Sequence, residues 1–268
     1  MINEILKEYN QYTEFLRSIS LFYKHFLFSK SHQDVLEYLM TNRGLSEEII
    51  KEFQIGYCPT PLQLHLDFIE KNHLNENLLY DLGVAEKEDK FLWMQDRITF
   101  PITDFYNGVI GFSGRVFREG DERAKYLNSP TTSTFCKSLT VFGLSQSIAS
   151  IIEKDCVIVV EGNLDVVTCH QYNIKNAVSP CGTSFTLPQL LLISSFTKNI
   201  ICCFDNDLAG NKASKRAEEK FKQVSLPFYN MTLSDGTRNK QDPDSFIRQY
   251  GSEPITDYIN SLMERRVY

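Results

Sequence analysis

The sequence predicts an α/β protein with an α+β N-terminal part: a parallel sheet flanked by helices, preceded by a mixed helical and β-hairpin subdomain. Three observations carry this reading. Apolar residues recur at helical spacing through the first third of the chain, alternate with a period of two from about residue 91, and beyond about 150 form short apolar runs, each followed by a helical stretch. The composition, 42% hydrophobic and 23% charged over 268 residues, is that of a folded globular chain with room for one large domain or two modest ones, and it excludes a disordered protein. No apolar run approaches the length of a membrane-spanning helix.

The elements follow in order. Ile2, Ile5, Leu6, Tyr9, Tyr12, Phe15, Leu16, Ile19, Phe22, Tyr23 and Phe26 stand on one face of a long amphipathic helix whose aromatic stripe is read as core. A second helical pattern covers about 32–42 and is broken by Gly44. Ser46 caps a third, with Glu47 and Glu48 in its first turn. Two short helices are expected near 61–72 and 75–82. Ile98–Ile102 and Val109–Phe112 read as strands joined through Tyr106-Asn107-Gly108, because Asn-Gly supplies the positive φ of a tight turn. Val157–Val160 and Asn199–Phe204 read as buried strands, the second leading into an amphipathic helix over 208–223. That alternation implies a parallel sheet covered on both faces.

Seven cysteines, an odd number scattered among apolar stretches, read as reduced core thiols rather than a disulfide framework. No Cys-x-x-Cys pair occurs and no histidine stands at zinc spacing from a cysteine, so no structural zinc is expected. The first residues, Met1-Ile2-Asn3-Glu4, lack the basic and apolar regions of a signal peptide, which predicts a cytoplasmic protein.

Three acidic motifs fall at or near the ends of apolar runs: Glu161-Gly162-Asn163-Leu164-Asp165, Asp205-Asn206-Asp207 followed by Ala209-Gly210, and Asp242-Pro243-Asp244 after a polar loop. In an open parallel sheet the carboxyl ends of the strands line the ligand-binding edge. Taken singly, each motif reads as helix capping, with Asp165 in a first turn and Asp207 at an N-cap. Taken together, carboxylates converging on one edge repel and lose hydration unless cations neutralise them, and oxygen-rich sites of this kind suit Mg²⁺ or Mn²⁺.

These motifs resemble the three acidic motifs of the Toprim fold, shared by bacterial-type primases, topoisomerases and some nucleases. The upstream segments Arg43-Gly44-Leu45, Arg97–Ile102, Gly108–Arg115, Lys125–Pro130 and Phe142-Gly143-Leu144 resemble, together and in order, the polymerase core of bacterial DNA primases. The resemblance implies an N-terminal α+β subdomain over 1–150, a Toprim subdomain over 151–234 and a short C-terminal helical segment over 235–268. It also implies DNA-directed synthesis of short RNA primers from NTPs on a single-stranded template, by two-metal-ion phosphoryl transfer.

On this reading Glu161, Asp205 and Asp207 are the catalytic metal ligands. Asp165, Asp242 and Asp244 complete or orient the metal positions. Carboxylates repel a triphosphate, so cations must approach from another side: Arg43, Arg97, Arg115, Lys125 and Lys137 are the candidates, with Asn128 as a sugar or phosphate contact. Bacterial primases carry a zinc ribbon before this core and a helicase-binding domain after it. Neither is expected in this chain, so a replicative helicase or a separate template-recognition protein is an expected partner, and a viral subunit acting in the host cytoplasm is one form the protein could take. The alternatives are a Toprim-type metal-dependent nuclease and a non-catalytic replication adaptor.

The net charge of −6 opposes phosphate binding at first sight. All of the excess lies in residues 1–90, with 9 bases and 15 acids, whereas 91–268 hold 19 of each. Setting aside the six motif carboxylates leaves 13 acids against 19 bases in that segment. Template and NTPs are therefore expected on the second two-thirds of the chain, with the acidic excess turned away from them.

Overall fold

A computed structural model describes residues 2–182, 184–234 and 241–264. Contacts divide the chain into two compact units, Met1–Lys137 and Ser138–Tyr268. This division lies upstream of the texture change near 150.

The first unit opens with α1 (Ile2–Leu27), then α2 (Gln33–Glu37), which runs on into a wide π turn over Tyr38–Asn42, and α3 (Glu47–Glu52). Ser46 caps α3, its hydroxyl accepting from the Ile49 amide. Strand β1 (Gly56–Tyr57), helices α4 (Gln63–Lys71) and α5 (Asn77–Asp81), and strands β2 (Ile98–Thr103), β3 (Val109–Arg115) and β4 (Tyr126–Asn128) follow. The four strands make an antiparallel sheet in the order β1-β2-β3-β4. The hairpin between β2 and β3 turns as the sequence predicts, with Asn107 at φ 64°. Asp104 holds it closed by accepting from the Tyr106 and Gly108 amides.

The apolar stripe of α1 is core from Phe15 onward, where Phe15, Leu16, Ile19, Phe22 and Tyr23 pack with Leu79, Leu82, Met94, Val109 and Phe112. Ile2, Ile5 and Leu6 are exposed. Tyr9 lies beside the hairpin turn, donating to Asp104 at 2.7 Å, so the sheet ends where the stripe loses its cover. At the other end α1 lies on β1 so closely that a Cβ at Gly56 would stand 2.7 Å from the Tyr23 backbone carbonyl carbon.

The second unit comprises β5 (Val141–Phe142), α6 (Leu144–Lys154), β6 (Val157–Val159), α7 (Asn163–Gln171), β7 (Ala177–Pro180), α8 (Leu187–Ser194), β8 (Ile200–Cys202), α9 (Leu208–Gln223), β9 (Tyr229–Asn230), α10 (Pro243–Tyr250) and α11 (Glu253–Glu264). Its sheet has the order β5-β7-β6-β8-β9, parallel except for β5, which pairs antiparallel with β7. Val157, Val159, Ile200 and Cys202 face one side and pack with Leu144, Ile151, Leu190, Ile193 and Phe221 of the helices. Ile158 and Ile201 alternate to the opposite side and are buried there too. Burial on both faces explains the unbroken apolar runs. The cysteines are free thiols, and all but the half-buried Cys136 are buried. Within the segment 235–268, helices α10 and α11 are described, whereas 235–240 and 265–268 lie outside the described residues.

Strand β6 feeds α7 and β7 on one side, and β8 feeds α9 and β9 on the other. The chain thus changes direction between the carboxyl ends of β6 and β8. That crevice is the ligand-binding point of an open α/β sheet. The start of α9 folds back tightly onto it: a Cβ at Gly210 would lie 2.0 Å from the Asp205 carbonyl oxygen.

Gly56→Ala and Gly210→Ala are each expected to lower the unfolding free energy by about 1–3 kcal/mol, because backbone must shift to admit the methyl. Urea denaturation reads both, and an unchanged midpoint in either would contradict the close approach. Burial also pushes His65 and His170 down to about 4. Their neutral forms are favoured in the fold, so their contribution is present above the ordinary histidine value near 6.5 and is lost as pH falls towards 4, by about 3 kcal/mol per histidine. His65→Phe, which cannot titrate, should show a shallower loss of stability between pH 7 and pH 4.5 than the parent chain.

Candidate active site

Glu161 follows β6 after Val160, and Asp205 follows β8 after Cys203 and Phe204. Parallel pairing aligns Val159 with Cys202, and so places the two acids at the same edge. The Asp205 amide donates to Glu161 Oε1 at 3.0 Å, which ties the strand ends together. Both side chains are half-buried.

Asp165 stands in the first turn of α7 and is 7% exposed. Its carboxylate accepts from the Gly162 amide at 2.9 Å and from the Asp244 amide at 3.1 Å, joining the β6–α7 turn to the start of α10. Burial, reinforced by the charges of Asp242, Asp205 and Asp244, holds the Asp165 carboxyl well above its ordinary range. The three motifs, distant in sequence, therefore do converge. Asp244, also buried, accepts from Thr168 Oγ1 at 2.8 Å and takes both a 3.1 Å bond from Arg248 Nε and a 3.2 Å bond from Arg248 Nη2.

The six motif acids differ in what they do. Asp207 is the N-cap of α9, accepting from the Ala209 and Gly210 amides at 2.8 Å each. Asp242 is the N-cap of α10, accepting from the Ser245 amide at 2.7 Å. Capping and cluster membership thus coexist at Asp242, while Asp244 and Asp165 brace the site from beneath. Among the described residues no three acids, histidines or cysteines already stand as a gathered ligand set. The donor chemistry nevertheless fits a hard divalent cation. The charges that push the Asp165 carboxyl up are those of the carboxylates Asp242, Asp205 and Asp244, and a cation is what would relieve the repulsion.

The cations of the first unit separate into different settings. Arg97, 4% exposed, spends Nη1 on the carbonyls of Gly114 (3.5 Å) and Ala124 (2.8 Å), and so pins β3 to the segment leading into β4. Arg43 and Arg115 meet at Tyr38, donating to its hydroxyl from Nε at 2.9 Å and from Nη1 respectively. Lys125 and Lys137 are exposed, and Asn128 is half-buried in β4 opposite Ser113. The exposed Arg123 pairs with Asp121 at 2.6 Å. The sequence reading passed over Thr168, Arg248 and Tyr38. For Arg248 a signal was present, since it stands four residues after Asp244 on a helix. Thr168 carries none, because its partner lies 76 residues away, and Tyr38 meets Arg115 across 77 residues although Arg43 is only five away.

Family models, curated relatives and solved structures match both halves of the chain. The family model of the DNA primase catalytic core, N-terminal domain, matches residues 22–148, and the Toprim-like model matches 158–247. The DNA primase of Haemophilus influenzae is 37% identical over 258 residues, covering 92% of this chain and 41% of that protein. The chain thus spans about two-fifths of the curated relatives it matches. The Escherichia coli primase catalytic core superposes with a TM-score of 0.79 at 33% identity, covering 94% of this chain and 79% of that one. A DnaG primase catalytic domain bound to single-stranded DNA superposes with a TM-score of 0.81 at 32% identity, covering 94% and 78%. With both halves of the core present in order and aligned over more than nine-tenths of its length, the chain belongs to the family of DnaG-type DNA primase catalytic cores.

Proposed function

We propose that this chain synthesises short RNA primers from NTPs on a single-stranded DNA template, as the nucleotidyltransferase core of a DNA primase. The observation that carries the proposal is the bond from the Asp205 amide to Glu161 Oε1 at the switch point of the sheet, beside a buried Asp165 charged upon by Asp205, Asp242 and Asp244. Glu161 and Asp205 would hold Mg²⁺ or Mn²⁺, with Asp207 beside them. When bound, the metal supplies activation of the attacking 3′-hydroxyl and neutralisation of the leaving pyrophosphate. Asp165 and Asp244 act by position: they fix the β6–α7 turn and the N-terminus of α10, and Thr168 and Arg248 hold Asp244. Such supporting partners orient the ligands they hold.

Arg43, Arg115, Lys125, Asn128 and Lys137 are the proposed contacts to triphosphate or template phosphates, while Arg97 supports them by fixing the strand that carries Arg115. The single-stranded DNA seen with a relative of the same fold supports the same template class here. A replicative helicase or a template-recognition protein is the proposed partner, and the cytoplasm the proposed compartment. The subdomain limits 1–150, 151–234 and 235–268 remain the proposed functional division.

Template, labelled NTPs and Mg²⁺ test this directly. Glu161→Gln and Asp205→Asn are each expected to reduce oligoribonucleotide synthesis about 100-fold or more, and Arg248→Ala about 10- to 100-fold. Full synthesis in the first two would remove the metal centre from the argument, and degradation of the template without NTP incorporation would identify a nuclease instead. Metal binding has its own readout. Saturating Mg²⁺ at about 100 times its dissociation constant should stabilise the parent chain by about 2.7 kcal/mol over the chelated form. The same addition should stabilise Glu161→Gln much less.

A further inference from the structure

Tyr38 has a role that none of the acidic motifs explains. It lies in the π turn between α2 and α3, half-buried, with two arginines close to its ring. The guanidinium carbon of Arg43 is 5.5 Å from the ring centre and that of Arg115 is 5.4 Å away. Both also donate to the same phenol oxygen, Arg43 through Nε and Arg115 through Nη1. A phenol oxygen accepts two hydrogen bonds and donates one. Its acceptor sites are filled by the two arginines, and among the described residues nothing accepts its proton.

Two cations bonded to one oxygen have donor nitrogens less than about 6 Å apart, twice a hydrogen-bond length. Arg115 is 4% exposed, and its Nε is buried with no hydrogen-bond partner. The Tyr126 ring, 5.7 Å from the Arg115 guanidinium, limits where that side chain can go. Two guanidinium groups and one phenol proton are thus held in one place. That is the donor set for a phosphate group, which offers several acceptor oxygens and the opposite charge.

We propose that Tyr38 is a positioning residue that gathers Arg43 and Arg115 into a single phosphate clamp, to which its own hydroxyl contributes a third donor. The proposal rests on the polymerase reading for the biological source of the phosphate, a nucleoside triphosphate or a template phosphodiester. The clamp itself rests only on the geometry around Tyr38.

Tyr38→Phe keeps the ring and removes the shared oxygen. Binding of two probes to the full chain is compared with the parent: ATP with Mg²⁺, and a fluorescent single-stranded oligodeoxythymidylate followed over a range of salt. The variant is expected to bind at least one probe about tenfold more weakly. Loss confined to ATP assigns the clamp to the triphosphate. Loss confined to the oligonucleotide, with the salt slope reduced by about 0.7, assigns it to one template phosphate.

A second comparison separates positioning from folding. Tyr38→Phe added to Arg115→Ala should cost little further affinity, because the clamp is already broken. Unchanged binding of both probes by Tyr38→Phe overturns the inference, as does a fully additive double variant or a parent chain that binds neither probe. A parent chain that makes no primers but loses phosphate binding with Tyr38→Phe would sink the polymerase reading and keep the clamp. Normal primer synthesis with unchanged binding in the variant would do the reverse.

Discussion

The second unit is organised by the parallel pairing of β6 with β8. Once Val159 aligns with Cys202, the residues that follow each strand must emerge side by side, and Glu161 and Asp205 become neighbours although 44 residues separate them. The amide-to-carboxylate bond between them uses up part of one acid in holding the other. Around this edge the remaining acids are arranged by helix starts, with Asp165 in the first turn of α7, Asp207 at the cap of α9 and Asp242 at the cap of α10. Helix N-termini tolerate carboxylates because their amides are unsatisfied and their dipoles positive, so one device both ends the loops and collects negative charge.

Collecting that charge is costly. Asp165 is buried among three other carboxylates, and its ionised form is disfavoured. The fold offsets this with two backbone amides on Asp165 and, one layer down, with Thr168 and Arg248 on Asp244. A hydrogen-bonded but still repelling cluster is a site prepared for a cation, since binding one removes the repulsion without rearranging the supports. The first unit shows the opposite polarity: Arg43 and Arg115 are brought together at Tyr38, and the counterpart that would relieve them is an anion.

Much of this was legible in the sequence, and the legible parts share a cause. The helix over 208–223, the Ser46 cap, the Asn107 turn and the buried strands after 157 and 199 all depend on local spacing and on the conformational freedom of one or two residues. Short pieces were not visible. β1, β5 and β9 are two residues each and exist only because a neighbouring strand offers them hydrogen bonds. The apolar start of α1 was read as core because helical periodicity shows which face is apolar but not how far the partner surface extends. That surface stops at the hairpin beside Tyr9.

The sequence by itself determined which residues carry the chemistry: three acidic motifs at or near the ends of apolar runs, a series of arginines and lysines upstream, and scattered cysteines that read as reduced core thiols. Side-chain chemistry and local backbone preference are properties of the chain and survive without a fold. Only the tertiary structure decided how those residues divide the work. It put Arg97 into structural service on backbone carbonyls, brought Thr168 to Asp244 and Arg115 to Tyr38, and set Asp165 against the start of α10. Those assignments depend on strand register and on helix starts meeting across tens of residues, and no local pattern encodes a distance of that kind.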